Sequence, residues 1–593
     1  MIAKLNNSIL KNVYNLSTDS QCLFVQKWSE MFFYKTINTY QFRLRNAHTI
    51  LIETKQVLQL IREEQNISAS NLKDLTLESK KLLEKDLCFR KHYKDLLPTL
   101  LKGLKINSTD KNDLLQLEYR LNNALRFISN TYLQNLIKDL EIAIISNDFY
   151  QVEHYSEILA SELIHLGWSP RSLSRLIKLY FLSNTYKYLT FEEKWEKFIS
   201  STTSNTGIFH CYFKLSRNQS DYLSKLKASD LRVVNGEEIL RTFVSINSHI
   251  QEDAFYIVEN TEAYYEDIHS AVEKCRYQLA IRQSVLSYFN IELENFDNAL
   301  VVFPNEDKIV DYTLEQGTDL EVETDNDDIQ SIINLLNQDK ILPRDNRRLI
   351  NFFRQYDLSI KAISLETIYS NLWSSVESLL VTGHHGSNIE HIKKIIPSIM
   401  CSRYVQNLFK NFLYDCYRAG VKPIIKGKQI KTEDFNSLND VFEMLTDESE
   451  SINFLSSLND YTLLKQRAAE LSNELMNSET LKDLMTNHYN TVTWQIQRLY
   501  RVRNNLVHSA KAERDINLLI EHLHFYIRST INELIFRLNN NDFNSLGDLY
   551  LAIEDNYYTL IEVLKNNISN SKKGSIQKFD SELIFTGAIF GYK

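Results

Sequence analysis

Glycine and proline are scarce in this chain. They account for 13 and 6 of its 593 residues, which is roughly 3 % together, whereas average proteins contain roughly 12 %. Few turns can therefore be built in the usual way, and abundant Leu, Ile, Lys and Glu favour long helices joined by short polar connections. We predict a mainly α, multi-domain helical protein.

Long apolar segments and paired cysteines are also missing. No stretch approaches the roughly 18 apolar residues that a membrane span requires, and the first residues contain no apolar core of a signal peptide. None of the six cysteines lies in a CxxC pair, a pattern typical of reduced thiols rather than of disulfides or a zinc site. We therefore expect a cytoplasmic protein with no membrane partner, no metal and no cofactor.

Positive charge in excess is the third absence. The formal net charge is -9, so nothing draws the whole chain towards nucleic acid, and an RNA-binding surface would have to be local. No glycine-rich phosphate loop of the P-loop type occurs either, which argues against ATP-driven chemistry. The hydrophobic fraction of 43% is ample for folded cores.

Changes in residue pattern predict four regions. Residues 1–199 are predicted to form a helical N-terminal domain with a regulatory or sensing role, assigned from size alone. Residues 200–330 form a small mixed α/β middle module, with strand-like runs near 208–213, 254–258 and 299–303, that ends in an acidic linker. Residues 331–545 form a C-terminal helical bundle, and 546–593 a helix and tail.

The segment with the most chemical information is Arg503-Asn504-Asn505-Leu506-Val507-His508. A histidine titrates near neutral pH and can move a proton, and an arginine can hold the charge that develops on a phosphate. Together with the amide of Asn504, these side chains are a minimal set for cutting RNA without a metal.

The spacing of arginine and histidine carries little weight by itself. About two chance matches to the loose pattern are expected in such a chain, and three occur, including Arg43 to His48. The strict form, with Asn directly after Arg, is satisfied only at Arg503. A basic group surrounds it, which suits a phosphate backbone but also fits a solvated helix face: Arg498, Arg501, Arg503, Lys511 and Arg514.

Helical geometry leaves open which arginine faces a phosphate. Asn504 and His508 lie one turn apart on the same face, and Arg501 lies on that stripe two turns before His508. Arg503 sits about 140° away around the helix. The geometry of one helix therefore favours Arg501, whereas the strict pattern favours Arg503.

These six residues resemble the signature of the HEPN superfamily. A second stretch, from Leu365 to Leu380 with Trp373 and Glu377, is similar to a helix of the ApeA-like HEPN group found in bacterial anti-phage proteins. The two stretches lie within about 345–540, a third of the chain. The resemblance implies a HEPN-like bundle in residues 331–545.

The resemblance implies a metal-independent endoribonuclease of abortive infection that works as a homodimer with a composite cleft. It assigns general acid/base chemistry to His508, phosphate stabilisation to Arg503 and support of the cleft to Asn504. Attack by the RNA 2′-hydroxyl would leave a cyclic phosphate, so no metal is needed. Cellular RNA, with tRNA as one class, is the expected substrate, and a phage-derived trigger is an expected partner. The alternative is a non-catalytic HEPN-type RNA-binding or protein-interaction scaffold.

Glu377 is the third catalytic candidate, because a carboxylate on an otherwise apolar helix is costly to bury without a partner. It is predicted to pair with an arginine or to orient His508, and the alternative is an exposed surface glutamate. Arg347 and Arg348 are predicted to extend the RNA-binding face, although a solvated helix end explains them nearly as well. The histidines in Gly383-His384-His385-Gly386 fit an inter-helix loop better than a zinc site.

Overall fold

The protein is mainly helical, as the scarcity of turn residues predicts. In the computed structural model, 75% of the described residues are helical, and these residues form 24 helices and a five-stranded antiparallel sheet in the middle of the chain. The described residues are 5–32, 45–62, 70–105, 110–215, 232–242, 250–288, 296, 298–304, 309–313, 326–337, 341–362, 364–381, 388–431, 436–475, 477–509, 516–540, 543–570, 584, 585, 587 and 590. Among the helices described, none has the length and apolar character needed to span a bilayer.

The chain divides into two compact units. The larger combines Met1–Glu162, Val322–Ser359 and Tyr369–Lys593, and the smaller combines Leu163–Glu321 with Ile360–Ile368. This grouping differs from the predicted regions 1–199, 200–330, 331–545 and 546–593. The helices before Glu162 fall in the same unit as the C-terminal helices, and their predicted regulatory or sensing role stays a prediction.

In the described residues, the first part of the larger unit contains eight helices and most of a ninth, which ends four residues beyond Glu162. Their bounds are α1 Asn7–Asn12, α2 Asp19–Met31, α3 Ala47–Arg62, α4 Ser70–Lys85, α5 Leu87–His92, α6 Leu97–Gly103, α7 Lys111–Ile128, α8 Tyr132–Ile145 and α9 Phe149–Leu166. Asparagine, threonine and aspartate cap several of these helices, as the abundance of such residues suggests. Thr18 and Gln21, for example, form a capping box at the start of α2.

The smaller unit is built around a sheet. Its elements are α10 Pro170–Phe181, α11 Phe191–Thr202, β1 Thr206–Lys214, β2 Arg232–Asn235, α12 Gly236–Thr242, β3 Phe255–Tyr264, α13 Ile268–Tyr288, β4 Asn298–Val302 and β5 Ile309–Thr313. The strand order is β2-β3-β1-β4-β5, and every neighbouring pair is antiparallel. The predicted strands match β1, β3 and β4, whereas β2 and β5 were missed.

One face of this sheet packs on α13. Phe209, Cys211 and Phe213 alternate along β1 and are completely buried against residues of that helix, as expected for a half-buried strand. The helices α9 and α10 are separated by the short segment from Gly167 to Ser169. Gly167 has a φ of 109° and Ser169 caps α10 by accepting from the N–H of Ser172. The acidic linker predicted at 319–328 lies outside the described residues up to 325, and its last residues, from Asn326, begin the next helix, Asn326–Asn337.

The chain returns to the larger unit with α14. The remaining elements are α14 Asn326–Asn337, α15 Pro343–Lys361, α16 Leu365–Leu380, α17 Asn388–Ser402, α18 Tyr404–Arg418, β6 Ile424–Ile425, β7 Lys428–Gln429, α19 Asn436–Thr446, α20 Glu448–Ser457, α21 Thr462–Leu475, α22 Ser478–Ser509, α23 Ile516–Asn540 and α24 Leu546–Asn570. A continuous apolar core runs from α18 through α21 and the first part of α22 to α24. The long helix α22 carries the predicted motif.

Candidate functional site

Helix α22 is central to the larger unit. It packs against α4, α17, α21 and α24, and every side chain from Gln495 to Leu499 is buried. A helix that is enclosed on all sides must bury its polar residues with partners, because an unpaired polar group costs free energy in the interior. Those partners decide which motif residues can meet a ligand.

Helix α16, which carries the second predicted stretch, lies alongside the last part of α22. The hydroxyl of Tyr369 donates to the backbone oxygen of Leu499 at 2.7 Å. One turn later the rings of Trp373 and Tyr500 have their centroids 5.8 Å apart. The contacts advance along both helices together, so α16 and α22 run in the same direction here.

The line of contacts between α16 and α22 is called the seam below. Its next contact joins two predicted catalytic residues. Glu377 Oε2 lies 3.5 Å from Arg503 Nη2, and Glu377 Oε1 accepts from the indole Nε1 of Trp373 at 2.9 Å. Arg503 Nη1 in turn donates to Asn504 Oδ1 at 3.2 Å. The predicted pairing of Glu377 with an arginine is confirmed. The side chains of Arg503 and Glu377 keep 28% and 26% of their surface exposed, so a ligand can reach both.

His508 is the residue of this set about which the structure says least. Its backbone continues α22 to Ser509, one turn beyond Asn504, but its side chain lies outside the described part of the chain. Lys511 and Arg514 belong to 510–515, which is also outside it. For the predicted general acid/base, the structure therefore gives the helix that carries it and not the position of its imidazole.

Two arginines of the predicted RNA-binding group are buried, which corrects that prediction. Arg498 and Arg501 are 3% and 5% exposed. Arg498 Nε donates to both oxygens of Glu53 at 3.0 Å, and its Nη2 donates to Glu78 at 2.7 Å. Arg501 also donates to Glu53, and Arg45 Nε donates to the same carboxylate at 2.7 Å.

These contacts explain why Arg498 and Arg501 do not form an exposed basic surface. Arg498 and Arg501 are three residues apart, so they lie on one stripe of α22, and that stripe meets the carboxylates of α3 and α4. Burial raises the pKa of Glu53, but the nearby guanidinium groups of Arg498, Arg45 and Arg501 overcome this and hold its pKa well below the usual range. Arg503, not Arg501, is the arginine left open to a phosphate.

The two other predicted RNA-binding arginines that the structure describes also differ in exposure. Arg347 is exposed on α15. Arg348 is partly buried, where it donates to Asp345 Oδ1 at 3.4 Å and to the backbone oxygen of Val381 at 3.1 Å. The prediction of Arg348 as an RNA contact is therefore corrected to a structural role, whereas Arg347 stays a prediction. The Gly383–Gly386 loop lies outside the described residues.

One set of possible metal ligands occurs among the residues that can be described. Atoms of Cys88, His92 and Asp139 lie within 4.8 Å of one another. Asp139 already accepts from Lys91 Nζ at 2.6 Å and interacts with His92 Nε2 at 2.9 Å, and burial raises the pKa of the Cys88 thiol. Protein groups thus neutralise this carboxylate, and the thiol is held in its protonated form.

Sequence reasoning missed the partners that organise this region. Glu53 and Glu78 lie more than 400 residues before their arginines, and no local pattern signals such a pairing. No family model, curated protein or solved structure matches the chain. The case for function therefore rests on the residues at the seam between α16 and α22.

Proposed function

We propose that the chain is a metal-independent endoribonuclease that acts at the C-terminal end of α22. The observation that carries the proposal is the cluster of Glu377, Arg503 and Asn504 at the seam of two helices that the sequence singles out independently. Arg503 is the member of the motif with an accessible guanidinium group. Glu377 and Asn504 hold that group in place, which lowers the entropic cost of presenting it to a phosphate.

The chemistry assigned to the site needs no metal. The 2′-hydroxyl of one nucleotide attacks its own 3′-phosphorus, the bond to the 5′-oxygen breaks, and a 2′,3′-cyclic phosphate forms. His508 takes the proton from the hydroxyl or gives one to the leaving oxygen. Arg503 stabilises the added negative charge on the phosphate in the transition state.

The biological setting follows from the HEPN resemblance alone. We propose a cytoplasmic effector of anti-phage abortive infection that cleaves cellular RNA, with tRNA as one candidate class, when a phage-derived signal releases it. We further propose a homodimer in which two copies of His508 share one cleft. The contacts of Glu53 and Glu78 with α22 are consistent with a restraining role for the N-terminal helices.

The decisive assay is RNA cleavage by the purified full chain. Wild type should cleave RNA in the presence of EDTA and leave cyclic phosphate ends, and a substrate with a single 2′-deoxy substitution should resist at that position. His508→Ala should lower the cleavage rate by about 100-fold or more. Arg503→Ala should lower it to a similar degree, and Arg503→Lys should not restore it, because lysine lacks the planar fork of donors.

A matched control is Arg241→Ala. Arg241 also forms an ion pair with a glutamate, Glu237, at 2.6 Å on an exposed helix, so the variant removes the same type of pair elsewhere. It should cleave RNA at the wild-type rate. Equal cleavage by wild type and His508→Ala, with both proteins folded by circular dichroism, would contradict the proposal.

The burial of Arg498 and Arg501 favours a second candidate, a non-catalytic interaction scaffold. It removes much of the basic surface that an RNA-binding enzyme was expected to present. Growth of bacteria that express the chain separates the two candidates. A nuclease should slow growth and His508→Ala should relieve the effect, whereas a scaffold should give equal growth with both proteins. Size-exclusion chromatography with light scattering tests the homodimer.

A further inference from the structure

His48, which follows Arg43 at the loose spacing but without the asparagine of the strict motif, has the partners of a catalytic base. His48 is the second residue of α3 and is only 5% exposed. Its Nδ1 lies 2.9 Å from Glu162 Oε1 on α9, and its Nε2 lies 2.9 Å from Ser129 Oγ. Both distances fall within hydrogen-bond reach, and a base between a carboxylate and a hydroxyl is the arrangement of a nucleophile triad.

The cap of α3 determines where the proton of His48 lies. Asn46 Oδ1 accepts from the backbone N–H of Thr49 at 2.8 Å, so the Nδ2 of Asn46 must face Glu162, where it donates to Oε2 at 2.8 Å. Glu162 is 2% exposed and accepts at both oxygens when ionised. We therefore assign the proton to His48 Nδ1, so that Nε2 accepts from the hydroxyl of Ser129.

Surrounding groups fix the ring of His48. Its centroid lies 5.3 Å from that of Tyr132, and the Tyr132 hydroxyl is itself held by a hydrogen bond to Asp86. Within the triad, Glu162 and His48 are buried and Ser129 is exposed. Nucleophilic catalysis requires a base held in a fixed position next to a hydroxyl that the substrate can reach, and these three residues meet that requirement.

We propose that Ser129, His48 and Glu162 form a second catalytic centre, a serine triad that cleaves carboxylic esters. Ser129 is the C-cap of α7, and α8 begins three residues later. Thr131, the N-cap of α8, makes no side-chain capping bond, so the first amide N–H groups of α8 are the donors that the proposal assigns to the oxyanion.

The reaction follows from these positions. Ser129 Oγ attacks the ester carbonyl while its proton passes to His48 Nε2, and Glu162 stabilises the imidazolium that forms. The tetrahedral intermediate collapses, the ester C–O bond breaks, and the leaving alcohol takes the proton from His48. Water then attacks the acyl-serine with His48 again as base, which releases the carboxylic acid and restores the hydroxyl.

A fluorophosphonate probe tests the nucleophile directly in the full chain, because it forms a covalent bond only with an activated serine. Peptide mapping should find the label at Ser129, and Ser129→Ala should abolish it. Hydrolysis of p-nitrophenyl acetate should fall at least about 100-fold in the same variant. Ser146 is the matched control, since it is an exposed C-cap of α8 whose hydroxyl bonds the backbone oxygen of Ala143. Ser146→Ala should change neither result.

Glu162→Gln separates a catalytic role from a structural one. The amide keeps the shape of Glu162, and its oxygen would accept from Asn46. Its NH₂ would then face His48 Nδ1 and drive the imidazole proton to Nε2, where it blocks proton transfer from Ser129. Labelling should slow by about 1,000-fold or more in a variant that circular dichroism shows to be folded. Labelling of Ser129 no faster than of Ser146, or wild-type labelling in Glu162→Gln, would overturn the proposal.

The outcome does not depend on the nuclease proposal. The probe reports on Ser129 alone, whereas RNA cleavage is read from the ends of the RNA. Either centre can therefore fail while the other is retained.

Discussion

Removal of the Glu53 carboxylate should destabilise the larger unit more than the loss of any surface ion pair. Glu53 accepts four hydrogen bonds from the guanidinium groups of Arg45, Arg498 and Arg501, and its side chain is 11% exposed. Breaking a buried ion pair by removing one partner costs about 3–5 kcal/mol, because the other charge remains without compensation. Arg498 would keep its bond to Glu78, but Arg45, Arg498 and Arg501 would all have lost the carboxylate that they share.

Two substitutions separate the contribution of the Glu53 charge to the free energy of unfolding from the contribution of its hydrogen bonds. Glu53→Ala removes all four acceptor contacts and should cost about 3–5 kcal/mol. Glu53→Gln keeps one carbonyl oxygen, so it should cost less but still about 2 kcal/mol, because hydrogen bonds from charged donors contribute about 1.5–3 kcal/mol each. For a unit of roughly 400 residues, each kcal/mol lowers Tm by roughly 1 °C.

Differential scanning calorimetry at pH 7 and pH 3.5 provides the assay. The pKa of Glu53 is lowered in the folded state, so its contribution to stability is complete above its unfolded pKa and is lost as pH falls through the folded value. The gap between wild type and variant should therefore be larger at pH 7.

The control is Glu562→Gln, which breaks an exposed pair with Lys565 and should cost under about 1 kcal/mol. A loss in Glu53→Ala no greater than in this control would refute the reasoning, since it would mean that the buried guanidinium groups do not need their carboxylate.

The remaining predictions concern burial, packing and backbone geometry. Burial lowers the pKa of His522 to about 4, so His522→Gln should remove up to about 3 kcal/mol of the stability loss that wild type shows as pH falls from 6.5 to 4, measured by urea titration. Tyr369→Phe should cost about 1 kcal/mol through the lost bond to Leu499, read as a lower Tm. Gly236→Ala should destabilise the smaller unit by more than about 3 kcal/mol, because the new methyl group would overlap the backbone oxygen of Gln251.

Each of these has a clear contrary result. An unchanged pH slope in His522→Gln would mean that another group accounts for the acid sensitivity. A stability loss above about 3 kcal/mol in Tyr369→Phe would point to repacking rather than to one hydrogen bond. Gly547→Ala is the control for Gly236→Ala, because a methyl group there meets only Ser545 Oγ, at 3.4 Å, and comparable losses in both would remove the steric explanation.

Local patterns predicted the elements well. The scarcity of glycine and proline predicted the helices, and the strand-like run near 208–213 predicted β1. These features depend on backbone preferences and side-chain periodicity within a few residues. Strands β2 and β5 were missed because they are short and partly exposed, so their apolar alternation is weak.

The grouping of the chain into units was not predictable in the same way. Residues 1–199 were predicted to form a separate helical domain, because the residue pattern changes near residue 200. Residues Met1–Glu162 instead fall in the larger unit, where Glu53 and Glu78 neutralise arginines of α22. Contacts across such a separation depend on the packing of whole helices and leave no local signature.

The sequence by itself determined that this is a mainly helical chain with an Arg-Asn-x₃-His helix and a separate helix that carries Trp373 and Glu377. Only the tertiary structure decided that Glu377 meets Arg503, that Arg498 and Arg501 are buried, and that His48 joins Ser129 to Glu162. The reason is physical. Helix periodicity determines which side chains share a face, whereas the neighbour that covers that face determines whether they are solvated, neutralised or catalytic.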